Sequence, residues 1–115
     1  MIRIYHNSRC SKSREGLKIV QDSGKEYQVR DYLKYPLSEK ELEEILHKLD
    51  IKPIELVRKN ESLWKEKFRS KVLSDNEIKR ILLENPKLIE RPIVESENGA
   101  VIGRPTHNIE NLLKS

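Results

Sequence analysis

The segment Ile2-Arg3-Ile4-Tyr5-His6-Asn7-Ser8-Arg9-Cys10-Ser11-Lys12-Ser13 opens with apolar and polar residues in alternation and then runs into turn-prone residues. The alternation over Ile2 to Tyr5 has the two-residue period of a strand, and His6 to Cys10 reads as the loop leaving it. A helix is predicted at or just after Cys10, because Ser13, Leu17 and Val20 recur at spacings of four and three and so share one face. Ser23-Gly24 supplies its stop, with Gly24 at the C-terminal cap. Tyr27 to Leu33 alternates again and is predicted as a second strand, with Pro36 marking its exit. Two strands joined through a helix in this way are expected to be parallel, with a right-handed crossover.

The middle of the chain carries helix signals. Ser38 and Glu41 form a capping box ahead of Leu42, Ile45, Leu46 and Leu49, and Ser74 and Glu77 repeat the device ahead of Ile78, Ile81 and Leu82. Pro53 stands at a first helical position before Ile54, Leu56 and Val57, and Leu63, Trp64 and Phe68 read as another short turn. Strand character returns at Pro92 to Glu95, turns at Asn98-Gly99 and continues over Ala100 to Ile102, a hairpin by its Asn-Gly signal. A last helix covers about Thr106 to Leu113, with Ile109, Leu112 and Leu113 as its buried side. The expected fold is α/β: one thioredoxin-like domain over 1–115, with a mixed sheet and a helical block inserted at about 37–90. Such a layout expects a cis-proline facing the first helix N-terminus, and Pro92 is the candidate.

Length and composition narrow the function classes. At 115 residues there is room for one ordinary domain. The hydrophobic fraction is 36% and the charged fraction 37%, yet Leu, Ile and Val recur in short runs throughout, which argues for a small charged globule over disorder. No apolar stretch approaches the roughly 18 residues of a membrane span, and the first ten residues lack a secretory apolar run, so a cytoplasmic location is expected. A single cysteine, Cys10, excludes an internal disulfide framework and a multi-cysteine zinc site, and any second thiol must come from another molecule. His47 and His107 have no cysteine or carboxylate at a convincing metal-ligand spacing, and no bound metal or cofactor is expected. The charge of +4 comes from 23 basic and 19 acidic residues interspersed along the chain, with six aromatics. Neither a nucleic-acid nor a membrane partner is expected from that pattern, and a monomer is the expected state.

Cys10 is the residue with chemical promise. At a helix N-terminus, unpaired backbone N–H groups and the positive end of the helix dipole favour an anion, and can lower a cysteine pKa from about 8.5 to about 3.5–7.5. The same amides suit an oxyanion. Ser13 lies one turn on, where its hydroxyl can reach the thiolate or a bound oxyanion, while His6 if protonated, Arg9, Lys12 and Arg14 would add positive charge. The plainer alternative is a lone cysteine packed as a small hydrophobe beside a capping serine. A phosphatase-like loop, Cys-x5-Arg, is excluded because position 16 is Gly16. Two Arg-Pro pairs, Arg91-Pro92 and Arg104-Pro105, bracket the hairpin, and Arg58 follows Ile54 to Val57. Arginine presents a planar fork suited to oxyanions, and three converging on one thiolate would bind a tetrahedral anion; taken singly, a solvated surface arginine is the commoner case.

The run His6-Asn7-Ser8-Arg9-Cys10-Ser11-Lys12-Ser13-Arg14 resembles the H-N-P-x-C-x-x-S-R signature of the glutaredoxin-coupled arsenate reductases. Leu56 to Asn60, Glu90 to Val94 and Ile102 to Pro105 are similar to further motifs of that family, in the same order and near its spacing, so the resemblance covers nearly the whole chain. It implies a thioredoxin-like fold with a helical insertion. It also implies Cys10 as nucleophile on arsenate, Ser13 and His6 tuning its ionisation, and Arg58, Arg91 and Arg104 holding the oxyanion. Glutathione would attack the cysteine–arsenate adduct and glutaredoxin would resolve the mixed disulfide, which fits a chain with one thiol. Ser8 replaces the signature proline, which frees a backbone angle and restores an N–H. The related alternatives are an Spx-like redox regulator binding RNA polymerase, whose members commonly carry Cys-x-x-Cys where this chain has Ser13, and another glutathione-linked thiol oxidoreductase.

Overall fold

The computed structural model describes residues 1–114. In chain order its elements are β1 (Ile2–His6), α1 (Ser11–Asp22), β2 (Tyr27–Asp31), α2 (Glu39–Leu49), α3 (Ser62–Lys67), α4 (Asp75–Glu84), β3 (Ile93–Ser96), β4 (Gly99–Ile102) and α5 (His107–Lys114), with 3-10 turns at Pro53–Leu56 and Pro86–Leu88. The chain divides into two compact units, one of Met1–Tyr35 with the chain from Arg91 onward, the other of Pro36–Glu90.

The first unit holds a four-stranded sheet in the order β2-β1-β3-β4, with β1 and β2 parallel and the other pairs antiparallel. This mixed sheet with helices after its first and last strands is a thioredoxin-like arrangement. Register puts Val29, Ile4, Val94 and Val101 in one row across the four strands. Ile2, Ile4 and Val94 meet Val20 of α1 and Ile109 and Leu112 of α5 in one core cluster. Ile4, Val20, Val94 and Ile109 are fully buried, each contributing about 1.5–3 kcal/mol by removal from water. That core holds the N-terminus of α1 and the turn before α5 at one end of the sheet.

β3 starts and ends one residue later than read, at Ile93 and Ser96, and two turns differ from the sequence reading. β2 ends at Asp31, because its side-chain Oδ1 accepts from the N–H groups of Leu33 and Lys34 and its carbonyl accepts from Tyr35, so Tyr32 and Leu33 lie in a turn despite their strand propensity. In the hairpin, Gly99 pairs with Ser96 as the first residue of β4, so the two-residue connection is Glu97-Asn98 and not Asn98-Gly99. Gly99 takes φ of +138°, a backbone setting that L side chains rarely adopt.

The second unit is helical. Both predicted capping boxes form: Ser38 Oγ accepts from Glu41 N–H at 3.1 Å and Ser74 Oγ from Glu77 N–H at 3.2 Å, with the Glu side chains returning to the Ser38 and Ser74 amides. The Ser74 backbone N–H holds the Glu77 carboxyl below its usual range. Leu42, Ile45 and Leu46 of α2 and Ile78, Ile81 and Leu82 of α4 are buried. An antiparallel bridge between Val57 and Ile89 closes the unit, flanked by Arg58 N–H to the Leu88 carbonyl and Glu90 N–H to the Leu56 carbonyl.

Candidate active site

Cys10 is the N-cap of α1: its backbone is extended, and its carbonyl accepts the first helical hydrogen bond, from Arg14 N–H at 3.0 Å. The loop ahead of it is built by Asn7, which is buried. The Asn7 side chain accepts from Arg9 N–H, its carbonyl accepts from Cys10 N–H, and its own N–H donates to Ser13 Oγ at 2.9 Å. The signal for this role was an asparagine three residues before the cysteine, a type that bonds its own loop through an Asx turn.

Ser13 is fully buried, and its hydroxyl shares a 2.7 Å hydrogen bond with His6 Nδ1 besides accepting from Asn7. The hydroxyl therefore faces the loop, not the sulfur, in contrast to the sequence expectation. What bears on Cys10 from this residue is the Ser13 backbone N–H, third in the helix, which favours the thiolate although no side-chain cap closes with strict geometry. His6 lies in a buried position that pushes its pKa below the ordinary imidazole value, a push only partly opposed by the Asp31 carboxylate. That direction works against the positive charge considered from sequence, and the ring's partner in the structure is the Ser13 hydroxyl. Two of the three nearby basic side chains are also engaged elsewhere: Arg14 Nη1 donates to the Ser8 carbonyl, and Lys12 pairs with Glu15 on the surface.

Arg104 reaches the sulfur, and Arg91 bears on its ionisation. Arg104 Nη2 donates to Cys10 Sγ at 3.2 Å while its Nε donates to the Arg91 carbonyl at 2.8 Å, so its fork is aimed from two points. Arg91 is buried, and its guanidinium charge favours the thiolate form of Cys10. Burial of the half-buried Cys10 acts to raise its pKa, but the Ser13 N–H and the two arginines outweigh it and leave the thiol below its ordinary value. Two guanidinium groups around one thiolate leave a net positive charge for a further anion.

Both Arg-Pro bonds, Arg91-Pro92 and Arg104-Pro105, are cis. Pro92 packs where α1 comes closest: a Cβ built on Gly16 would lie 2.8 Å from both Pro92 Cγ and Ile109 Cδ1, and one on Gly103 would meet the same two atoms at 2.8 and 2.7 Å. Position 16, where a Cys-x5-Arg loop needs its arginine, has no room for a methyl group. Arg58 belongs to the second unit, where its Nε lies 3.8 Å from Glu61 and 3.9 Å from Glu90 carboxylate oxygens. Among the described residues no group of three or more His, Cys, Asp or Glu side chains is placed to hold a metal ion, and no helix is long and apolar enough to cross a membrane.

The chain is similar to known proteins along nearly its whole length. YfgD, an uncharacterized protein of Escherichia coli K12, is 40% identical over 110 residues, covering 94% of this chain and 92% of its own. An arsenate reductase of Neisseria meningitidis is 38% identical over 114 residues, covering 97% of each. The solved structure of an arsenate reductase from Vibrio cholerae superposes with a TM-score of 0.90 at 37% identity, over 96% of both chains. A sequence model of the ArsC family matches residues 5–112, a span that includes the cysteine turn, both Arg-Pro pairs and α5 to Leu112, and the chain belongs to that family.

Proposed function

We propose that the chain is an arsenate reductase working through Cys10 as nucleophile, with glutathione and glutaredoxin as external reductants. The hydrogen bond from Arg104 Nη2 to Cys10 Sγ carries this reading: it sets a cation on a thiolate that the helix N-terminus and Arg91 already favour. In the proposed reaction the thiolate attacks arsenic, a sulfur–arsenic bond forms, and one arsenate oxygen leaves as water once protonated. The glutathione thiolate then attacks the Cys10 sulfur. The sulfur–arsenic electron pair stays on arsenic, which falls from As(V) to As(III) and departs as arsenite, leaving a Cys10–glutathione disulfide. Glutaredoxin takes over the glutathione and returns the Cys10 thiolate, so both electrons come from outside, as a chain with one thiol requires.

Arg91 and Arg104 would offset the charge of the oxyanion as it meets a negatively charged sulfur, when their preset N–H groups are worth most. The resemblance adds Arg58 as a third ligand of the oxyanion. The test is arsenate-dependent NADPH consumption in a mixture of glutathione, glutathione reductase and glutaredoxin, wild type against Cys10→Ser. Turnover that disappears with Cys10→Ser is the expected result, since a serine hydroxyl is far less ionised than a thiol. Turnover retained by Cys10→Ser refutes the nucleophile, and no turnover from a folded wild type with a reactive Cys10 refutes arsenate as substrate. Replacing Arg58 or Arg104 with Ala is expected to raise the arsenate requirement or slow the chemical step.

A further inference from the structure

We propose that Asn108 is a positioning residue that holds Arg104 against Cys10 by clamping the turn between β4 and α5. The inference rests on the reading of Cys10 as nucleophile. Asn108 is the second residue of α5 and its side chain hydrogen-bonds neither the sulfur nor the guanidinium. Its Nδ2 donates to the carbonyls of Ile102, at 3.2 Å, and of Arg104, at 3.4 Å, so both amide hydrogens are spent on the residues flanking Gly103. Gly103 itself donates to the Pro92 carbonyl at 2.7 Å and is pressed against Pro92 and Ile109. The turn is thereby fixed at three successive residues: Ile102 and Gly103 on the sheet side and Arg104 on the helix side.

The side chain of Arg104 leaves this anchored backbone with little freedom. Nε reaches the Arg91 carbonyl and Nη2 the sulfur, a path that closes only if the Cα of Arg104 stays in place. A long arginine side chain otherwise has rotamer entropy against holding one pose, and the clamp sets that pose in advance. Only an amide of this length supplies two donors to two carbonyls two residues apart. Aspartate would set acceptor against acceptor, and an apolar residue supplies none.

The test uses pH-dependent alkylation of Cys10 by iodoacetamide, which needs neither arsenate nor a reductant. Wild type, Asn108→Leu, Arg104→Ala and the double variant are compared, with thermal unfolding of each in parallel. Leu is near in size, uncharged and a strong helix former, which favours a folded variant; Asn108→Ala is measured in the same way in case Leu does not fold. Asn108→Leu is expected to move the thiolate midpoint upward and slow alkylation at pH 7 by about 3- to 10-fold, the scale of one weakened hydrogen bond to a charged group. In the Arg104→Ala background the same change should add nothing. A lower Tm with an unchanged midpoint, or effects that simply add in the double variant, overturns the positioning role while leaving the nucleophile standing. A wild-type midpoint in the ordinary thiol range overturns the nucleophile and the clamp together.

Discussion

Gly16→Ala sets two physical terms of opposite sign against each other. In the interior of α1, alanine is favoured over glycine by about 0.8–1.0 kcal/mol, so propensity alone makes the variant more stable. Against this, the new methyl would lie 2.8 Å from Pro92 Cγ and 2.8 Å from Ile109 Cδ1, where carbon pairs settle at about 3.5–4.0 Å. Pro92 and Ile109 are both buried, so relief needs α1 or the proline ring to move, and overpacking of this kind costs about 1–3 kcal/mol. Two contacts at 2.8 Å put the cost in the upper part of that range, about 2–3 kcal/mol, so the net expectation is a loss of about 1–2 kcal/mol, or about 4–8 °C in Tm for a domain near this size. Gly103→Ala meets the same two side chains without the helix gain and should lose about 1 kcal/mol more. Gly24→Ala is the control, since nothing lies within 4 Å and only its φ of +74° opposes the change. Urea and thermal unfolding followed by circular dichroism give the order. A Gly16→Ala protein as stable as wild type or more so refutes the reasoning, because α1 would then not be seated on Pro92.

Three further outcomes are expected. Arg104→Ala removes the donor to Cys10 Sγ and should raise the thiol midpoint seen by alkylation against pH; an unmoved midpoint takes Arg104 out of the site. Burial lowers the pKa of folded His6, so the unfolded chain binds more protons, and stability should be full above the ordinary imidazole value of about 6.5 and decline as pH falls from there through the folded pKa. His6→Asn should flatten that decline in urea unfolding measured between pH 5 and 8, and a parallel pH dependence in both proteins contradicts the linkage. Ser74→Ala removes the acceptor for Glu77 N–H and should cost about 1 kcal/mol by the same assay, whereas no loss would mean water caps α4 equally well.

Signals confined to a few neighbouring residues were legible in the sequence. The alternation of Ile2 to Tyr5, the Ser38–Glu41 and Ser74–Glu77 boxes and the apolar face of α5 are written in short spacings, and each forms where it was read. Short-range competition was harder: Tyr32 and Leu33 favour a strand, but the Asp31 carboxylate captures the Leu33 and Lys34 amides first. At the site, the types Cys, Ser, His and Arg were readable, but not which atom of each does the work. Ser13 contributes its backbone N–H to the sulfur and spends its hydroxyl on His6 and Asn7, a division set by how α1 meets the loop. The hold of the Arg91 carbonyl on Arg104 and the clamp by Asn108 depend on where β3 and β4 lie in the sheet, and no local spacing encodes that.

The Arg104–Cys10 contact spans 94 residues of chain. An isolated N-terminal segment could fold α1 and present a thiol at its end, yet it would carry neither guanidinium. Those arrive only when the C-terminal hairpin has docked along β1 and α5 has covered the sheet. The two influences on the sulfur thus have different ranges: the Ser13 N–H is supplied by α1 alone, whereas the guanidinium charges are supplied only by long-range assembly of the first unit.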